Sequence, residues 1–136
     1  MTIRSTAHAR YDLWYHVAWA TKYRKRIFTH TYTQTRVKET LRAIAAQYDM
    51  MIDKVECLSD HVHLTLSAPP RIAPSRAVQI LKSLSTKMMF HEFPWLRKHY
   101  WGGEAWAGGY FVRSVGSGLT KEQIDRYIMA QSEESS

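Results

Sequence analysis

Seven residues between an acidic turn and a pair of prolines constrain this chain more than any other stretch. In His61-Val62-His63-Leu64-Thr65-Leu66-Ser67, preceded by Asp60 and stopped by Pro69-Pro70, polar and apolar side chains alternate strictly. A period of two is a strand, with His61, His63 and Thr65 on one face and Val62, Leu64 and Leu66 on the other. The apolar face needs a layer beneath it. The opposite face presents two imidazoles side by side, about 7 Å apart along the backbone.

The remaining elements arrange themselves around that strand. Residues 11–20 are aromatic and β-branched, with apolar side chains on both faces, which suits a central strand. They run into a basic loop, Thr21-Lys22-Tyr23-Arg24-Lys25-Arg26. Val37, Leu41, Ile44, Ala45 and Tyr48 recur at helical spacing and predict a helix over 33–48. Residues 50–58 suit a strand, and Ser59-Asp60 a turn. Pro69-Pro70 ends the histidine strand. Pro74 opens a helix over 75–91, with Val78, Leu81, Ser85 and Met88 on one side and Arg76, Gln79, Lys82, Ser83, Thr86 and Lys87 on the other. Residues 110–115 read as a last strand. A final helix begins at Thr120, where Thr-Lys-Glu-Gln makes a capping box. The order β-α-β-β-α-β plus a C-terminal helix predicts an α+β, ferredoxin-like or RRM-like antiparallel sheet, with helices on one face and the other open.

At 136 residues the chain is expected to be one domain, with 1–10 and 132–136 as flexible ends. No apolar run approaches the roughly 20 residues needed to cross a bilayer, and the first residues lack a signal peptide's apolar core. The single cysteine, Cys57, has no internal disulfide partner and reads as a small core side chain, so a cytoplasmic location is expected. Net charge is +7, but residues 1–100 carry 16 basic and 7 acidic side chains, whereas 101–136 carry 3 and 5. The positive charge therefore belongs to the body of the domain, a field that favours polyanions, nucleic acid first among them.

Several residues carry candidate chemistry. Two imidazoles on one strand make most of a metal site, although surface histidines can also alternate by chance. Zinc-finger spacing is absent. In the last helix Tyr127 and Gln131 are four apart and share a face. That spacing suits a packing tyrosine beside a solvated amide. It is also compatible with a nucleophile that attacks a DNA phosphate, with the Gln131 carbonyl oxygen completing a metal site with His61 and His63. Lys22, Arg24, Lys25 and Arg26 around Tyr23 suit phosphate contact and base stacking, or a solvated loop. Arg76, Lys82 and Lys87 form a second candidate DNA track. His16 reads as a core histidine or as one that orients a site residue.

Taken in order, these residues resemble the single-tyrosine HUH transposases of the insertion sequence 200/605 family. The likeness spans about 11–131: Tyr15-His16-Val17-Ala18-Trp19 through Lys22-Tyr23-Arg24, Asp60-His61-Val62-His63-Leu64, Ser67-Ala68-Pro69-Pro70, Leu81-Lys82, Phe93-Pro94, Trp101-Gly102-Gly103, Trp106, Tyr110, and Arg126-Tyr127-Ile128 with Gln131. The resemblance implies a transposase that cleaves and rejoins single-stranded DNA through a 5′-phosphotyrosine on Tyr127 and recognises subterminal hairpins. It further implies Mg²⁺ or Mn²⁺ held by His61, His63 and Gln131, and a homodimer in which one subunit's tyrosine helix completes the other's site. The setting would be the cytoplasm of a bacterium or archaeon, at the nucleoid when bound to DNA.

This chain has Ile128-Met129-Ala130 where the family often carries a polar, acidic stretch, and 106–110 departs from a segment that commonly carries Ser or Pro. Both departures fall where the mobile helix and dimer contacts are expected. All six glycines lie between 102 and 118, and Gly116-Ser117-Gly118 before the Thr120 cap suits a hinge for a mobile helix over 120–131, or a simple turn. Two other readings compete. A domesticated, non-catalytic hairpin-binding relative would not need the His61, His63, Tyr127 and Gln131 set. An RRM-like RNA binder needs exposed aromatics on the central strands, for which Trp14 and Tyr15 are available. A relaxase or replication initiator is disfavoured by the short length.

Overall fold

The structure is a computed structural model that describes residues 2–116 and 120–126. Its centre is the expected sheet. β3 (Trp14–Ala20) lies between β5 (His61–Ser67) and β6 (Phe111–Ser114), and β4 (Met51–Cys57) closes the far side, giving the order β4-β5-β3-β6. Every pair is antiparallel. A small hairpin of β1 (Arg4–Ser5) and β2 (Arg10–Tyr11) precedes the sheet.

Two helices cover one face. α1 (Thr31–Gln47) buries Val37, Leu41, Ile44 and Ala45, and ends where Asp49 takes a left-handed φ of 59°. A short polar side chain tolerates that conformation better than most. α2 (Pro74–Glu92) starts on Pro74, whose missing N–H costs nothing in the first turn. Its buried residues are Ala77, Val78, Ile80, Leu81, Ser85 and Met89, and the expected Met88 packs against the same core while only partly buried. Arg36 on α1 forms a bidentate pair with Glu92 on α2. Under the helices, Val17, Trp19, Val62, Leu64 and Leu66 are almost fully buried.

One expectation at the N-terminus needs correction. The first strand starts at Trp14 and not at residue 11, because Tyr11 pairs with Arg4 in the hairpin. The Trp14 indole N–H donates to the Thr2 carbonyl at 3.0 Å, so the N-terminal segment covers one end of the face opposite the helices. The C-terminal capping box forms as expected: Gln123 N donates to Thr120 Oγ1 at 3.2 Å, and Thr120 N to Gln123 Oε1 at 2.9 Å. Residues 121–126 are helical.

Candidate active site on the open face of the sheet

Antiparallel register decides what shares the open face. Ala18 pairs with His63, Ala20 with His61, and His16 with Thr65. Directly opposed residues project to the same side, so both candidate ligands stand opposite alanines, whose methyl groups leave room beside the imidazoles. Val62 and Leu64 alternate into the core with 0% and 1% exposure, which locks the strand against a slip that would bury the histidines.

Asp60 orients His61. Its Oδ1 lies 2.9 Å from His61 Nδ1, and its Oδ2 lies 3.4 Å from the Arg24 guanidinium. The His61 hydrogen bond, with Arg24 behind it, holds the Asp60 carboxyl below the usual carboxylate range. An ionised carboxylate only accepts, so the proton sits on Nδ1 and the Nε2 lone pair of His61 is left for a ligand. His63 is exposed, and the His16 ring lies nearly parallel to it, with centroids 5.7 Å apart and 12° between planes. The His16 Nδ1 is 3.5 Å from Thr65 Oγ1.

The basic loop is tied to the histidine strand through a buried threonine. Thr21 donates from N to the Asp60 carbonyl at 2.9 Å, and its Oγ1 reaches the Lys25 carbonyl at 2.7 Å and the Asp60 carbonyl at 3.1 Å. Within the loop, Tyr23 and Arg24 take left-handed φ values of 60° and 52°. Non-glycine residues there cost on the order of 1–3 kcal/mol each and persist where their surroundings impose them. Tyr23, Arg24 and Arg26 are exposed, Lys22 lies 3.8 Å from Glu104, and Lys25 donates to the His99 carbonyl at 2.9 Å.

The second candidate track lies on the helix side. A groove of about 430 Å³ runs between α2 and residues 103–110, lined by Lys82, Lys87, Trp106 and Tyr110 among others. Lys87 is exposed. Lys82 is more enclosed: its ammonium donates to the carbonyls of Ala107 at 2.5 Å and Gly109 at 3.2 Å, and burial lowers its pKa. Arg76 is exposed and bonds Gln79 at 2.9 Å. Trp106, by contrast, is structural, its indole N–H donating to the buried Ser85 hydroxyl at 2.9 Å.

The structure therefore brings His61 and His63 to one open face beside the Lys22–Arg26 loop. Tyr127 and Gln131 lie outside the described residues, as does most of the Gly116-Ser117-Gly118 segment. Among the described residues no three His, Cys, Asp or Glu side chains gather into a metal site, so an ion on the histidine pair needs a further donor. Two imidazoles, one of them oriented by Asp60, are a donor set that suits a divalent cation with an added oxygen ligand. Sequence reasoning took Asp60 only as a turn residue and favoured the core for His16. The parity of β3 was the available signal, because His16 alternates with the buried Val17 and Trp19. Trp14 is buried and Tyr15 packs on the helix side, so neither forms the aromatic platform that an RRM-like RNA binder requires.

The fold is an α+β antiparallel sheet backed by two helices, with a histidine pair on its uncovered face. The sequence matches the family profile described as "Transposase IS200 like" over residues 9–131, and the chain belongs to the IS200-like transposase family. It is 39% identical over 121 residues to the ISDra2 transposase TnpA of Deinococcus radiodurans, covering 89% of this chain and 85% of that one. It is 35% identical over 133 residues to the transposase for insertion sequence element IS200 of Salmonella typhimurium, covering 96% and 84%. A crystal structure of a protein described as a transposase from Deinococcus radiodurans superposes with a TM-score of 0.73 at 35% identity, covering 96% of this chain and 98% of that one. A REP-associated tyrosine transposase bound to a REP hairpin shares the fold at 12% identity, with a TM-score of 0.54 and coverage of 93% and 68%. These likenesses make the protein a DNA transposase. Among the described residues no helix is long and apolar enough to cross a membrane.

Proposed function

We propose that this transposase cleaves and rejoins single-stranded DNA at insertion-sequence ends, with Tyr127 as nucleophile and a 5′-phosphotyrosine as intermediate. The observation that carries the reading is the delivery of His61 and His63 to an open face, with Asp60 fixing the His61 proton on Nδ1. His61, His63 and Gln131 would hold Mg²⁺ or Mn²⁺, which when bound supplies a Lewis acid at the scissile phosphate.

The chain's own residues do the rest. The Tyr127 hydroxyl gives up its proton and its oxygen bonds to phosphorus as the bond from phosphorus to the 3′-oxygen breaks, and that oxygen takes up a proton and leaves as a 3′-hydroxyl. A phenol with an ordinary pKa near 10 is a weak nucleophile, so charge neutralisation at the phosphate is needed. The phosphotyrosine retains the energy of the broken bond, and attack by another 3′-hydroxyl reverses the step onto a new strand. The cations of the 22–26 loop, beside the histidine face, hold the backbone. Arg76, Lys82 and Lys87 lie on the helix side, where a hairpin stem fits, and Lys82 acts mainly by holding the 107–109 segment.

A homodimer completes the proposal. β6 is an edge strand whose far side has no partner among the described residues, and Tyr110, Phe111 and Val112 are all more than a third exposed. An apolar edge of that kind suits pairing with a second copy, and a tyrosine helix acting in trans would then reach the partner's histidine pair. The test is cleavage of hairpin-bearing single strands with and without Mn²⁺. Wild-type protein cuts only with the ion, and His61→Ala and His63→Ala each lose cutting by at least a hundredfold while still binding DNA. Undiminished cutting by either variant with Mn²⁺, or by the wild type in EDTA, contradicts the reading.

A further inference from the structure

We infer that Tyr23 is a stacking platform for one unpaired base of the DNA, at the rim of the histidine face. This inference rests on the reading that the protein binds single-stranded DNA, and it assigns one nucleotide of that strand to one side chain.

Four observations converge on the ring. Tyr23 is 72% exposed, which leaves ring surface open to a ligand. It is held out by two consecutive left-handed residues, Tyr23 and Arg24, a conformation any competing turn would relieve. Its ring stacks loosely on Tyr100, with centroids 6.5 Å apart and 30° between planes, so its direction is set from behind. Cations surround it: the Lys22 ammonium lies 5.5 Å and the Lys25 ammonium 5.9 Å from its centroid, and Lys25 is also 5.6 Å from that of Tyr100.

Position then says which ligand. The next residue, Arg24, contacts Asp60, and Asp60 contacts His61. A base laid on Tyr23 brings its own phosphates among Lys22, Arg24 and Lys25 and directs the following linkage toward the imidazoles. Stacking uses the π-face that every base has, so this subsite is tolerant of sequence. A base inside a duplex has both faces covered by its neighbours, so the subsite disfavours continuous duplex and admits unpaired bases.

Binding in EDTA tests this without any metal-dependent step. An oligonucleotide is selected from a randomised single-stranded pool by affinity for the wild type, and an abasic site is then moved along it. Wild-type affinity is expected to fall about tenfold at one position, within the range for losing one stacked base. Tyr23→Ala should bind the intact strand about tenfold more weakly and lose nothing further at that position. Tyr23→Trp should restore both the affinity and the abasic penalty. Equal thermal melts of the variants, expected for an exposed residue, exclude unfolding.

An abasic penalty that persists in Tyr23→Ala overturns the assignment while leaving single-strand binding intact. So does unchanged affinity accompanied by a lower oligomer mass, which would make the ring a contact between protein chains. A wild type that binds no single strand overturns this inference together with the reading beneath it.

Discussion

The Asp60 carboxylate spans two parts of the site, 2.9 Å from His61 Nδ1 through one oxygen and 3.4 Å from the Arg24 guanidinium through the other. A turn residue thus joins the candidate ligand to the basic loop. Partners of this kind fix a ligand's tautomer and ring orientation, and their loss costs roughly 10- to 100-fold in metal affinity. Asp60→Asn should therefore weaken Mn²⁺ binding at least tenfold, as measured by electron paramagnetic resonance of free Mn²⁺, while leaving the thermal melt close to wild type. Unchanged Mn²⁺ affinity would remove Asp60 from the site.

The sheet's core should be sensitive to single truncations. Leu64, which follows the His63 ligand position, is buried on the opposite face of β5, and Leu64→Ala should cost about 2–5 kcal/mol in urea unfolding. Thr65→Ala, on the histidine face of the same strand, should cost markedly less.

Burial pushes the Cys57 thiol up to about 12. At pH 8 the folded protein should resist iodoacetamide and react only on unfolding, because the thiolate is the reactive form. Mass spectrometry after timed alkylation reads this directly. Rapid labelling of native protein would show that the β4 end opens.

The pair between Arg36 and Glu92 makes a prediction with a definite sign. The Arg36 hydrogen bond lowers the Glu92 pKa from its ordinary 4.5. A carboxyl depressed in the folded state stabilises above its unfolded value and loses that contribution as pH falls through the folded one. The melting temperature of Glu92→Gln should lie below wild type at pH 7, and the gap should close as the pH falls well below 4.5. A gap that is constant down to pH 3 would mean that the pair contributes nothing electrostatic.

Much of this was legible because two periodicities are clean. The alternation over 61–67 placed β5 to the residue, and the 37, 41, 44, 45 pattern identified the buried side of α1. What was not legible depends on contacts between distant segments. The hairpin of 4–11 exists because Arg4 and Tyr11 pair, which no local pattern announces. The side of α2 that carries Ser85 was legible, but its partner was not: the indole N–H of Trp106, 21 residues later, donates to the Ser85 hydroxyl. The strained backbone at Tyr23 and Arg24 is set by Thr21, which is pinned to Asp60. Parity within β3 puts His16 on the open face, but its place beside His63 comes from the pairing with β5, which a single strand cannot reveal.

Covalent capture of DNA tests the central claim most directly. Wild-type protein and Tyr127→Phe are each incubated with Mn²⁺ and a pool of hairpin-bearing single strands, and protein-linked DNA is separated under denaturing conditions. The account predicts an adduct in the wild type alone, mapped by mass spectrometry to a phosphate on Tyr127. An adduct that survives in Tyr127→Phe, or none from folded wild type that binds the same hairpins, would contradict it.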